Sequence, residues 1–168
     1  MMLIIDVHYY DDKARIAGIA FDDWLTDKES HVYISDYEGV ADYKSGAFYK
    51  RELPCILKLI EEHNLQPDLI IIDGYVWLDG VKQTGMGARL HDSLTIKTPI
   101  IGVAKNKHSA LGAGYDVVRG SSIKPLFVTT IGIDIETAKS HIANMHGDFR
   151  EPTLIKKADS ACRGYELA

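Results

Sequence analysis

The sequence predicts an α/β fold built on a mixed sheet, antiparallel at the front, parallel at the back and flanked by helices. Three observations carry this. Three strand-like segments open the chain with no helix between them, and consecutive strands pair most simply as an antiparallel meander. Two later apolar runs, 68–73 and 99–104, are short and mostly free of charge, as in strands buried on both faces. The whole order reads β-β-β-α-β-α-β, then a further strand region and one or two helices, and strands alternating with helices predict parallel pairing. The 168 residues suffice for a substantial core and read as one domain over 1–168.

The first strand is expected over about Met2 to His8, followed by the turn cluster Asp11-Asp12-Lys13. The second runs from about Ala14 to Phe21. Only Arg15 in it is charged, so most of it suits burial on both faces. The third, about His31 to Ser35, carries Val32, Tyr33 and Ile34, which favour a strand. Leu53, Ile56, Leu57, Leu59 and Ile60 then fall at helical spacing, with Lys58, Glu61 and Glu62 on the other face. Pro54 means that this helix either starts near Arg51 or bends there. Gly85 to Leu94 is expected as a short helix, and Tyr115–Arg119 with Pro125–Thr130 as a late hairpin. Asp134 heads a helix with the apolar stripe Ala138, Ile142 and Met145, and 151–168 holds a last helix after Pro152.

Composition limits the function. Hydrophobic residues make up 46% and charged residues 26%, as in ordinary globular proteins. The apolar runs are too short for a membrane span. The N-terminus enters a strand at once, without a basic-then-apolar signal pattern. Cys55 and Cys162 form no Cys-x-x-Cys pair, and a reducing cytoplasm is the simplest compartment. The formal net charge of −5 argues weakly against bulk coating of nucleic acid. It leaves room for a nuclease, whose site is itself acidic.

Three carboxylates draw attention. Asp6 closes the run Met1–Ile5, Asp73 closes Leu69–Ile72, and Glu52 lies within or beside the first helix. A carboxylate at the end of a buried strand is costly to desolvate unless a cation or hydrogen bonds compensate. Ligands of sheets with parallel strands bind beyond the carboxyl ends of those strands, where Asp6, Asp73 and Lys105 converge if their strands run parallel. Hard oxygen donors without paired Cys or clustered His point to Mg²⁺, with Mn²⁺ able to substitute. Lys105 at the end of the run 99–104 suits stabilisation of phosphate charge. Each residue also has a plain reading: a turn for Asp6 and for Asp73-Gly74, a surface ion pair for Glu52, a strand exit for Lys105. Those readings explain poorly why two buried strands run into Asp toward one edge. Trp77, just after Asp73-Gly74, reads equally as a base-stacking or a packing residue.

Four segments in order resemble the endonuclease V family. Tyr43-Lys44-Ser45-Gly46 leading into Phe48-Tyr49-Lys50-Arg51-Glu52-Leu53-Pro54 is similar to its Tyr-x-Pro-Gly and Phe-Arg-Glu-Leu-Pro segments. Ile72-Asp73-Gly74 with Gly85-Met86-Gly87-Ala88-Arg89-Leu90 resembles its Asp-Gly block and the helix behind it. Pro99-Ile100-Ile101-Gly102-Val103-Ala104-Lys105 is close to its Pro-x-Ile-Gly-Val-Ala-Lys. Lys124–Val128, leading into Glu136-Thr137-Ala138, is a weaker match.

The resemblance implies a ribonuclease-H-like fold and metal-dependent cleavage of a phosphodiester beside a hypoxanthine base in DNA, or in some members RNA. It implies Asp6, Glu52 and Asp73 as catalytic metal-binding carboxylates and Lys105 as the catalytic lysine. Tyr43 would be an aromatic wedge and Gly46 the glycine behind it. Gly74, Gly85 and Gly87 would line a pocket for a flipped base. The pattern also differs in places. Asp42 and Ser45 stand where the family has prolines, and Asp79-Gly80 where it has His-Pro. The place of a late metal-site histidine falls on Ile133, beside Asp134, which is either a fourth carboxylate or a helix N-cap. The front of the chain is shorter than in typical members. Two other readings stand beside this one: a ribonuclease-H-like nuclease with a different structure-specific substrate, and a non-catalytic nucleic-acid-binding module.

Overall fold

The computed structural model describes residues 1–40 and 49–167. Among these, seven strands form one sheet in the order β3-β2-β1-β4-β5-β7-β6. The strands are β1 (Met2–Tyr10), β2 (Lys13–Phe21), β3 (His31–Glu38), β4 (Leu69–Asp73), β5 (Ile100–Ala104), β6 (Asp116–Val117) and β7 (Leu126–Ile131). Four helices complete the set: α1 (Tyr49–Glu62), α2 (Met86–Ser93), α3 (Ile135–Asn144) and α4 (Thr153–Cys162). The expected mixed sheet is present, with β1, β2 and β3 antiparallel and β1, β4 and β5 parallel. The late hairpin forms as β6 and β7, and β7 runs antiparallel to β5.

β3 runs on to Glu38 and β6 shortens to Asp116–Val117, and two further boundaries that bear on the site differ from expectation. β1 continues to Tyr10 because β2 pairs with it down to Tyr10↔Lys13, so Asp6 lies inside a strand and not at its end. The parallel pairing with β4 is recorded only to Ile5↔Ile72, so Asp6 sits where that partner stops. Helix α1 begins at Tyr49 and passes through Pro54, two residues earlier than a start at Arg51.

The sheet buries both faces, as strand alternation requires. On one face Ile4, Ile71, Ile101 and Val128 pack under α3 and α4 through Ala138, Ile142, Leu154 and Ala158. On the other, Leu3, Ile5, Ile70 and Ile72 pack under α1 and α2 through Ile56, Leu59 and Leu90. Trp24 stacks on His141 at 4.3 Å between ring centroids. Trp77 donates its indole N–H to the Thr130 carbonyl at 3.1 Å and packs on the second core, which favours its packing reading. Among the described residues no helix is long and apolar enough to cross a membrane.

One buried cation organises the segment that leads into α4. Arg119, 3% exposed, donates through Nη1 to the carbonyls of Phe149 (2.6 Å) and Arg150 (3.3 Å). Through Nη2 it donates to Met145 (2.5 Å) and Gly147 (3.1 Å). Hydrogen bonds to a charged group contribute more than neutral ones, and carbonyls left buried without a donor are costly. Arg119→Met is therefore expected to destabilise the protein by about 3 kcal/mol in equilibrium urea unfolding. A loss below about 1 kcal/mol would show that the segment holds itself.

Candidate active site

Register explains how the carboxylates meet. Asp6 and Asp73 follow Ile5 and Ile72, which pair across the parallel strands, and Asp73 is paired with Val103 on β5. Side chains two apart on a strand share a face. Asp6 thus continues the face of Ile4, Asp73 that of Ile71, and Lys105 that of Ile101 and Val103. A small cavity is lined by Asp6, Asp73, Lys105, Val103, Leu126, Ile155 and Glu151. Glu52 reaches the same end of the sheet from α1 on the opposite face. It is 7% exposed and lines a separate cavity together with Asp73 and Gly74.

A residue that sequence reasoning did not single out joins them. Asp159, on α4, has a carboxylate oxygen within 4.8 Å of an Asp6 oxygen and of the Cys162 sulfur, so these three form a group able to hold a metal ion. The sequence signal was weak but real. Leu154, Ala158, Ala161 and Cys162 form the buried stripe of α4, and Asp159 borders it. Asp134 lies elsewhere. Its Oδ2 accepts from the Thr137 backbone N–H at 3.0 Å and from the Thr137 hydroxyl at 3.1 Å, capping α3. Of its two readings, the N-cap is the one seen, and the fourth acidic group near Asp6 comes from α4. Tyr43 and Gly46 lie outside the described residues.

Burial and mutual repulsion set the electrostatics of the site. Burial, then the charge of Asp73, pushes Asp6 up to about 7. Burial, then Asp73 and Asp6, pushes Glu52 up to about 8. Asp73 is raised too, by desolvation, with Lys105 pulling it back and Glu151 and Asp159 adding to the rise. Its side chain reaches solvent at the strand end, which softens that desolvation. Asp159 is lowered: burial is the largest single influence and opposes its ionisation, but the Arg163 hydrogen bond at 2.9 Å and the charges of Arg163, Lys105 and Lys156 together outweigh it. Carboxyl groups crowded until they resist ionising are the donor set a hard divalent cation stabilises. Among the described residues Asp6 and Asp159 are close enough to share such an ion, and Asp73 and Glu52 interact with Asp6 through their charges. Cys162 is a buried thiol whose sulfur donates to the Asp159 carbonyl at 3.2 Å and whose pKa is raised to about 12, first by burial.

The cavity on the Glu52 side measures about 320 Å³. Its walls include Tyr49, Gly74, Tyr75, Leu78, Gly85, Met86, Arg89 and His108. The Arg89 guanidinium lies 3.6 Å from the centre of the Tyr49 ring. Tyr75 donates its hydroxyl to the Asn106 carbonyl at 2.6 Å and accepts from the His108 N–H at 2.9 Å, tying the loop after Lys105 to the cavity wall. Gly74 has φ +118°, a conformation that L side chains rarely adopt. At Gly85 an added Cβ would meet the Tyr75 carbonyl oxygen at 2.6 Å, and at Gly87 the Val76 Cα at 2.9 Å. Gly85 and Gly87 thus let α2 close on the backbone that follows Asp73. Gly74 and Gly85 line the cavity; Gly87 acts behind it through packing. Asp79, where the resembled family has histidine, takes the N–H groups of Val81, Lys82 and Gln83 on one carboxylate oxygen. These three bonds hold its pKa down at about 2.

Comparison with known proteins accords with this geometry. The sequence model of the Endonuclease V family matches residues 2–112. Endonuclease V of Nocardia farcinica is 28% identical over 141 residues, covering 72% of this chain and 61% of the relative. The chain spans about three-fifths of the length of the curated relatives it matches. Endonuclease V of Streptomyces avermitilis has a similar structure, with a TM-score of 0.77, 23% identity, and coverage of 97% of this chain and 79% of that one. Endonuclease V of Ciona intestinalis, in complex with a 24mer DNA containing an inosine followed by a ribo-adenosine, has a TM-score of 0.71, 18% identity, and coverage of 97% and 84%. The structural likeness gives the chain a ribonuclease-H-like fold, and the sequence match gives its kinship: the chain belongs to the endonuclease V family.

Proposed function

We propose that this chain is a Mg²⁺-dependent endonuclease that hydrolyses a phosphodiester beside a deaminated, hypoxanthine-bearing nucleotide in DNA or RNA. The observation that carries the reading is one acidic cluster, with Lys105, beside a cavity of about 320 Å³ at the carboxyl end of the parallel strands. Asp6, Glu52, Asp73 and Asp159 would hold the metal, with Mn²⁺ able to substitute. Bound there, such an ion would polarise a phosphoryl oxygen and acidify a water.

The chain's own groups supply the rest. Lys105 is a point charge for the oxygens of the phosphate as negative charge develops on them. The Tyr49, Tyr75 and Met86 walls suit stacking of a base turned out of its helix. Gly74 and Gly85 allow close backbone approach to its edge. Inosine in the DNA bound by the Ciona relative supports hypoxanthine as that base. Tyr43 and Gly46 are carried from the family resemblance as wedge residues, and 1–168 acts as one domain.

The test is nicking of an inosine-containing duplex and its adenosine control, each with Mg²⁺ and with EDTA. Nicking of the inosine strand alone, lost in EDTA, is expected. Equal cutting of mismatch or flap DNA would favour the structure-specific reading, for which Asp42, Ser45 and the Asp79 loop are the motivating departures. No cutting, together with no heat of Mn²⁺ binding in calorimetric titration, would favour the non-catalytic module.

A further inference from the structure

Lys105 is gripped twice by adjacent residues of one segment. Its ammonium meets the Glu151 carboxylate at 2.9 Å. Its backbone carbonyl accepts from the Arg150 guanidinium, which also donates to the Pro125 carbonyl at 2.7 Å. The segment carrying both residues is itself pinned by Arg119 through the carbonyls of Met145, Gly147, Phe149 and Arg150. Glu151 also shares the small cavity with Asp6 and Asp73.

We propose that Glu151 is a positioning residue, which aims the Lys105 ammonium and keeps it off the metal-binding carboxylates. This rests on the nuclease reading above. A lysine stem has four rotatable carbons, and its ammonium is drawn to any nearby anion. Asp73 and Asp159 both attract it. An unrestrained Lys105 would settle on those carboxylates, where a cation is needed, and would leave the phosphate unattended. Glu151, fixed by its pinned segment, offers a nearer partner to one side. The ammonium is then held beside the cluster and not within it, where it can meet a phosphate oxygen. Glu151 acts on the reaction through Lys105 alone and never as a metal ligand.

A double-mutant cycle tests this in single-turnover nicking of the inosine duplex with Mg²⁺. E151Q removes the charge and keeps the shape. It is expected to slow nicking about 30-fold at saturating substrate, with half-saturation changed less than about twofold, as for loss of an orienting partner. E151D should recover part of the rate. In the K105A background E151Q should cost less than about twofold more, because its effect runs through the lysine. Mn²⁺ binding by E151Q, read by calorimetry, should stay within about threefold of wild type. A cost of about 30-fold that persists in K105A, or a loss of Mn²⁺ affinity of about tenfold or more, would overturn the inference and make Glu151 a metal ligand. Wild-type rates in E151Q would overturn it as well. A wild-type chain that nicks nothing would fail differently, by removing the nuclease reading and this inference together.

Discussion

Asp73→Asn is expected to abolish Mg²⁺-dependent nicking while leaving the protein folded. Asp73 is the vertex of the site. It is the foremost charged influence on both Asp6 and Glu52, and it lines the cavities on both sides of the cluster. On the proposed function, its replacement removes one metal donor and part of the charge that balances the ion. Loss of several kcal/mol of charge stabilisation in the transition state corresponds to a fall of at least about 10³-fold in rate. The fold does not depend on this charge, because Asp73 ends β4 and reaches solvent. Without metal the carboxylates repel one another, so the metal-free variant should melt no lower than wild type. Lys105→Ala should cost less, about 10²-fold, because it removes one charge-stabilising group and no metal donor. Rates and thermal melts of the two variants check the order. Full activity in D73N would sink the metal-site assignment.

Much of this site was legible because strands advertise themselves. Leu69–Ile72 and Ile100–Ala104 are apolar runs that only a doubly covered sheet accommodates, and the residue just past such a run lies at the sheet's end. Asp73 and Lys105 were therefore placed by pattern alone. Asp6 was placed for a partly wrong reason. The apolar run stops there, but the strand does not, since its hairpin with β2 runs on to Tyr10. It reaches the site because its parallel partner ends at the same level. Asp159 shows where pattern fails. On α4 it is one acidic residue beside an ordinary apolar stripe, and only the docking of that helix over β1 brings it near Asp6. Asp134 had the louder local signal, and that signal described a cap. Glu151 and Arg119 were silent, since a residue that grips carbonyls or a lysine across the fold leaves no periodicity.

Metal-free protein is expected to lose stability as pH rises from about 5 to about 8, opposite to the usual behaviour of paired carboxylates. The direction of the shifts sets the sign. Unfolded, Asp6 and Glu52 would titrate near their ordinary values of 3.8 and 4.5; folded, they hold protons up to about 7 and about 8. Between those limits the folded state binds more protons than the unfolded one. Its advantage is complete below the unfolded values and is lost as pH climbs through the folded ones. Asp6, Glu52 and Asp73 share one site, and a loss of a few kcal/mol in all is expected. For a chain of this size that lowers the melting temperature by roughly 5–10 °C. Melts in EDTA at pH 5, 6, 7 and 8 measure it, and a flat profile would mean that the cluster is already ionised at pH 5. Mn²⁺ should reverse the trend. Binding must displace the protons, so apparent affinity should rise by about tenfold for each proton displaced per pH unit between pH 6 and 8, and saturating Mn²⁺ should restore the melt at pH 8. D73N should make the profile shallower in EDTA without abolishing it, because it removes the foremost charge that adds to burial in holding Asp6 and Glu52 protonated. One variant thus links the pH dependence to the chemistry: the buried, mutually repelling carboxylates that cost the metal-free protein stability at pH 8 are the groups proposed to hold the metal.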